Sequence, residues 1–243
     1  MPTQTKIPEG LFETVFWYEQ LKARNNDVFL PLFFDTHRYL VMCGGGGSGK
    51  SICAGDIVLN RVTTEEGHTW LVCRKVAKTI RWSCFNQLVG QAHKYYEDEI
   101  EQIYEGDLRI KFRNGSQIIF AGLDDVEKLK SIYNITGIWI EEASEISEQD
   151  FNQLDIRLRG QTKYRKQIIL TFNPISILHW LKRRFFDCLG KDGKLLPKKE
   201  RDKIRTHHST YAQQSRLHRK DPLEQRRSRS FPARLRQRKH SDI

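Results

Sequence analysis

No apolar run in this chain reaches the roughly 20 residues needed to cross a bilayer; the stretch 28–34 is short and contains Pro31. The opening residues, Met1-Pro2-Thr3-Gln4-Thr5-Lys6, lack the charged-then-apolar pattern of a secretion signal. These absences predict a cytoplasmic protein with no membrane partner. Cysteine is sparse: positions 43, 53, 73, 84 and 188 form no CxxC pair, and their number is odd. That argues against a disulfide framework or a zinc site and predicts small buried or half-buried thiols in a reducing compartment. The histidines are scattered, and the pair His207-His208, if carried on a strand, points to opposite faces rather than to one metal. Acidic charge is in deficit, with a net charge of +11 over 243 residues. The imbalance is uneven. Residues 213–243 hold ten Lys/Arg against three Asp/Glu, whereas the other 212 residues hold 31 against 27. The basicity that would suggest a nucleic-acid partner is therefore concentrated in the tail.

What the chain does have is the run Cys43-Gly44-Gly45-Gly46-Gly47-Ser48-Gly49-Lys50-Ser51. It fits G-x-x-x-x-G-K-[ST], a loop that wraps nucleotide phosphates. Glycines let successive backbone N–H groups turn toward an anion where a Cβ would obstruct them. Lys50 is placed to reach the β- and γ-phosphates, and the Ser51 hydroxyl to ligate Mg²⁺. The alternative is a flexible glycine turn, but the context fits the phosphate-binding reading. Residues 38–42 read as a short buried strand, and 52–61, with Ile57, Val58 and Val62 at helical spacing, as the helix that follows.

Up to about Tyr211 strands and helices alternate. Helices are predicted at 11–22, 80–99, 151–159 and 177–187. Strands are predicted at 69–73, 108–112, 117–120, 137–140 and 167–172, and Asn114-Gly115 signals a hairpin between the second and third of these. The pattern predicts an α/β fold with a mainly parallel sheet covered by helices on both faces. From Gln213 the composition changes to Gln, Arg, Ser and His, and the periodicity stops. Such a segment cannot bury enough apolar surface to order itself. The chain thus divides into a folded region, 1–212, and a basic tail, 213–243.

Hydrolysis needs an acid near Mg²⁺ and a group to orient the attacking water. The segment Ile138-Trp139-Ile140-Glu141-Glu142-Ala143 offers both, at the sheet edge where the phosphate loop also lies. Glu141 is assigned to hold Mg²⁺ through water, and Glu142 to polarise the water that attacks the γ-phosphate. A catalytic glutamate, with room for an intervening strand at 70–73, suits the additional-strand branch of P-loop NTPases. The strand 167–172 leads into Asn173-Pro174, and Thr171 and Asn173 are placed to hydrogen-bond the phosphate or the attacking water.

Taken in order, these segments resemble the large terminase subunit of tailed bacteriophages, in the PBSX-like group. The resemblance rests on Arg38-Tyr39, Gly44 to Ser51, Arg74-Lys75 with Arg81 and Ser83, Glu141-Glu142-Ala143, Arg157-Leu158-Arg159, Thr171-Phe172-Asn173-Pro174, the run from Trp180 to Phe186, and Ser209-Thr210-Tyr211. It covers roughly residues 20 to 212. It implies an ATPase motor, encoded by a phage or prophage, that pumps double-stranded DNA into a capsid as a ring of identical subunits, with a small terminase subunit and a capsid portal as partners. It also implies that Lys50, Ser51, Glu141 and Glu142 serve Mg-ATP hydrolysis, that Arg38 and Tyr39 belong to the region contacting adenine, and that Thr171 to Pro174 couples hydrolysis to DNA movement.

Two departures stand out. Family members often carry an arginine where this chain has Gly46, so a charge-stabilising arginine must come from Arg74, Arg157, Arg159 or a neighbouring subunit. The family's nuclease domain has no counterpart among residues 213–243, whose acids are Asp221, Glu224 and Asp242 alone. The tail therefore reads as out-of-frame translation of a longer gene, against the competing reading of a DNA-binding arm. Three functions stay open at this point: a packaging ATPase without nuclease activity, a truncated remnant that is not a motor, and a nucleic-acid-binding protein acting through its tail.

Overall fold

The computed structural model describes residues 9–210, so the predicted basic tail lies outside the described residues. Helices α1 (Glu9–Arg24), α2 (Lys50–Thr64), α3 (Ala77–Ile80), α4 (Asn86–Tyr95), α5 (Val126–Ser131), α6 (Glu148–Arg157) and α7 (Lys198–Arg201) alternate with eight strands. The strands are β1 (Tyr39–Gly44), β2 (Thr69–Arg74), β3 (Ile100–Tyr104), β4 (Arg109–Phe112), β5 (Gln117–Gly122), β6 (Gly137–Glu141), β7 (Gln167–Phe172) and β8 (Ile204–Ser209).

They form one sheet in the order β3-β4-β5-β2-β6-β7-β1-β8. From β5 to β8 every pairing is parallel. The β3–β4–β5 edge is antiparallel. The Asn114-Gly115 hairpin forms there, with Gly115 at φ +81°. Strands buried on both faces lose the polar–apolar alternation of half-exposed ones, and all six residues of β1 and of β7 are buried. Leu40 and Met42 enter the core beneath α1, α2 and α4; Tyr39, Val41 and Cys43 enter the core beneath α6 on the other face. Cys43, Cys53, Cys73 and Cys84 are buried and Cys188 is half-buried.

The structure also revises several sequence-based expectations. β7, rather than the 70–73 strand, separates the phosphate-loop strand β1 from the acidic strand β6; β2 lies on the far side of β6. The expected single helix over 80–99 is α3, a wider turn at Arg81–Phe85 with i→i+5 bonds, then α4, and it stops at Tyr95. Ile100–Tyr104, not expected from sequence, pairs with β4 as the outer strand. The expected 177–187 helix shortens to 180–186, most of it again in an i→i+5 turn at Lys182–Phe186. His207 and His208 do point apart: one ring packs on Phe29, the other on Phe186.

Candidate nucleotide site

β1 delivers the chain to the phosphate loop at the carboxyl edge of the sheet. Gly47 and Gly49 take φ of +71° and +87°, a region a Cβ disfavours. Gly44 answers a different need. A Cβ there would collide with Ser209 Oγ and stand 2.5 Å from the Ser209 carbonyl oxygen. β8 grips the loop at this point: the Ser209 hydroxyl donates to buried Ser48 Oγ at 2.9 Å. We expect Gly44→Ala to cost about 1–3 kcal/mol through overpacking, read as a Tm several degrees lower by calorimetry. An unchanged Tm would mean that the loop yields without cost. Gly45 and Gly46 meet no atom within 4 Å, so both positions are sterically open.

The loop's functional side chains are already engaged with the acidic strand and its neighbour. Lys50, 6 % exposed, donates from Nζ to Asn173 Oδ1 at 2.9 Å and to the Gly45 carbonyl at 3.4 Å. Ser51 Oγ donates to Glu141 Oε1 at 2.8 Å. Thr171 faces Glu141 in the β6–β7 register. Its hydroxyl donates to the other Glu141 oxygen and accepts from Trp139 Nε1 at 2.9 Å. Asn173 thus belongs to the site through Lys50. Thr171 is fully buried, and its hydroxyl serves Glu141.

Burial pushes the Glu141 carboxyl up from its usual range; the Thr171 and Ser51 hydrogen bonds pull it back, and the nearby charge of Glu142 adds to the rise. A half-buried carboxylate with only hydroxyl donors on its oxygens suits a divalent cation. A hydroxyl and one or two carboxylates, with phosphate and water completing the shell, are the hard oxygen ligands Mg²⁺ takes. Among the described residues no group of three or more His, Cys, Asp and Glu could hold a metal alone, so the nucleotide phosphates would have to share it. Burial first, then the charge of Glu141, pushes the Cys84 thiol up to about 12.

Glu142 follows directly and takes φ +53° and ψ +49°. For a non-glycine residue this left-handed conformation costs on the order of 1–3 kcal/mol and recurs at functional sites. Among the described residues the Glu142 carboxylate has no hydrogen-bond or ion-pair partner. It stands at the carboxyl edge, half-buried, next to Glu141.

The remaining sequence candidates separate. Tyr39 opens β1 and Arg38 precedes it, about 16–20 Å of extended chain away from Gly44. Both bind Asp155 of α6: Arg38 Nη2 at 2.7 Å and the Tyr39 hydroxyl at 2.9 Å. They therefore brace α6 against the sheet, at the edge opposite the loop. Arg157 donates to the Leu129 carbonyl at 2.9 Å. Arg159 precedes Gly160, which bonds to Ile135 ahead of β6, so it sits at the amino edge, away from the acids. Neither reaches the loop of its own chain. Arg74 does end at the right edge, one step past the Cys73–Ile140 pair. Its guanidinium is 3.8 Å from Glu145, and its buried Nε has no partner.

The phage terminase large subunit family matches residues 36–226, running past the compositional boundary at 212. The chain is 36 % identical over 192 residues to the PBSX phage terminase large subunit of Bacillus subtilis, covering 72 % of this chain and 41 % of that protein. It is 32 % identical over 144 residues to the terminase large subunit of Bacillus phage SPP1, covering 53 % and 33 %. The chain therefore spans less than half the length of these relatives. Among solved structures, the large terminase of a thermophilic bacteriophage in complex with ATP-γ-S matches with a TM-score of 0.62 at 14 % identity, covering 85 % of this chain and 49 % of that one. The ATPase domain of the Thermus phage P74-26 large terminase matches with a TM-score of 0.60 at 16 % identity, covering 96 % of each chain. These likenesses show a terminase ATPase fold, and among the described residues no helix is long and apolar enough to cross a membrane. With well over half its length matched, the chain belongs to the phage terminase large subunit family.

Proposed function

We propose that this chain is the ATP-hydrolysing motor domain of a phage or prophage terminase, using Mg-ATP in the cytoplasm of the host cell to drive double-stranded DNA into a capsid. One observation carries the reading: the 2.8 Å bond from Ser51 to Glu141, which ties the phosphate loop to the acidic pair. The Mg²⁺ ion, when bound, neutralises phosphate charge and orients the β- and γ-oxygens. Ser51 and Glu141 would hold it, Glu141 through water. Lys50 exchanges Asn173 for the β- and γ-phosphates. Glu142, carried on its strained backbone, takes the proton side of the attacking water and aims it at phosphorus.

Asn173 is the coupling residue of this scheme, since the same lysine holds either it or the phosphate, and Thr171 acts upstream by fixing Glu141. Of the three candidate arginines, Arg74 is the one near the acids. A second arginine would come from a neighbouring subunit of a ring homo-oligomer. The small terminase subunit and the portal are the partners that family membership suggests.

The test is phosphate release by the purified chain with and without double-stranded DNA. Mg-dependent turnover stimulated by DNA supports the motor. Nucleotide binding with no turnover in either condition favours the remnant. Salt-sensitive DNA binding lost on deleting 213–243, with no nucleotide binding, favours the basic-arm reading.

Glu141 also makes a stability prediction. Its folded carboxyl lies above the ordinary value, so the native state holds the proton more tightly than the unfolded chain. Stability therefore falls as pH rises from the usual carboxylate range through that raised value. Buried Asp56, raised for the same cause, acts in the same direction. Glu141→Gln should flatten part of this slope and raise the nucleotide-free Tm at neutral pH, as thermal melting across pH would show. It should also remove the contribution of Mg²⁺ to nucleotide affinity. A lower Tm in the variant would contradict this.

A further inference from the structure

The first turn of α2 is held from outside the phosphate loop. Gln87 and Gln91 lie one helical turn apart on α4 and face α2. Gln87 Nε2 donates to the Ser51 carbonyl at 2.9 Å and to Gln91 Oε1 at 3.0 Å. Gln91 Nε2 donates to the Ile52 carbonyl at 3.0 Å and to Asp56 Oδ1 at 2.8 Å. Asp56, fully buried, accepts from Asn25 Nδ2 at 2.8 Å and faces Arg24 Nε at 3.5 Å. α4 comes this close because α2 carries Gly55, where a Cβ would stand 2.6 Å from Gln91 Oε1 and 3.0 Å from Gln87 Nε2.

Packing alone does not require these bonds, since Leu88 and Ala92 supply the apolar contacts of α4. What they fix is orientation. A helical carbonyl already accepts one N–H from the residue four ahead. A second donor, Gln87, sets the tilt of the peptide plane after Ser51 and so the direction of its side chain. Mg²⁺ demands near-ideal octahedral geometry, and ligating groups are productive only within about 0.5 Å of their place.

We propose that Gln87, backed by Gln91 and Asp56, is a positioning residue for the metal-bound nucleotide: it holds the Ser51 carbonyl so that Ser51 Oγ faces Glu141. The inference rests on the reading of Ser51 and Glu141 as the magnesium end of the site. The hydrogen-bond chain ends on α1, so α1 and α4 together act as a clamp on the loop helix.

The experiment is calorimetric titration of the full chain with ADP, with and without Mg²⁺. Gln87→Met keeps the length and removes the donor. It should leave metal-free ADP affinity and Tm near wild type while reducing the Mg²⁺-dependent gain in affinity by about tenfold. Gln87→Lys keeps a long donor and should restore most of that gain. A full gain in Gln87→Met, or a Gln87→Lys no better than Gln87→Met, overturns the inference. Ser51→Ala is the reference. If Ser51→Ala keeps the full gain, the underlying magnesium reading fails; if it loses the gain while Gln87→Met retains it, only the positioning role fails.

Discussion

Replacing Lys50 with alanine is expected to cut ATP turnover by about 10³-fold or more. Lys50 is the one cation in the described loop, and its side chain is almost fully buried against the Asn173 amide and the Gly45 carbonyl. With Nζ removed, no other charged side chain of the described loop can offset charge on the β- and γ-oxygens, because position 46 is glycine. The fold should survive, since an alanine there removes a buried ammonium rather than a packing group, and Asn173 can bond water. Steady-state phosphate release together with thermal melting checks both statements. Turnover within tenfold of wild type would remove Lys50 from the chemistry.

Glu142→Gln should separate binding from hydrolysis. The amide keeps the size of the side chain and loses the base. Nucleotide affinity should stay within about threefold of wild type, while phosphate release should fall by about 10²–10⁴-fold, the range contributed by a positioned general base. The backbone at Glu142 bears on the same test. Its left-handed conformation aims a carboxylate that has no partner among the described residues out of the strand, while its neighbour Glu141 points into the hydroxyl pair. Two adjacent half-buried acids thereby gain different surroundings, Glu141 between two hydroxyls with its carboxyl raised and Glu142 with no side-chain partner among the described residues, as two different jobs require. Equal turnover in wild type and Glu142→Gln would withdraw the water-orienting role.

The parts of this site that were legible in the sequence are those whose chemistry is local. The phosphate loop is a contiguous run, and Glu141-Glu142 closes a contiguous apolar strand. What sequence could not show was set by strand order. β7 lies between β1 and β6. Thr171 is therefore opposite Glu141, and Asn173 is within reach of Lys50, a pairing 123 residues apart in sequence. The same geometry separates Arg38 and Tyr39 from the loop. They are close to the loop in sequence, but a six-residue strand carries them to the opposite edge of the sheet. β3 escaped notice because Ile100–Tyr104 is an edge strand with exposed Glu101 and Gln102, which blunts its apolar pattern. Gln87 and Gln91 left one sequence signal, two amides at helical spacing, which gains meaning only against Gly55 on the facing helix. The wide turns at Arg81–Phe85 and Lys182–Phe186 have no compositional signature that distinguishes them from ordinary helix.

The most direct test of the central claim is a crystal structure of the Glu142→Gln chain grown with Mg²⁺ and ATP-γ-S. The account predicts the thiophosphate tail in the 44–51 loop, Lys50 Nζ moved from Asn173 to the β- and γ-phosphates, and the metal between Ser51 and Glu141. A nucleotide bound elsewhere, or Lys50 still on Asn173 with the tail in place, would contradict it.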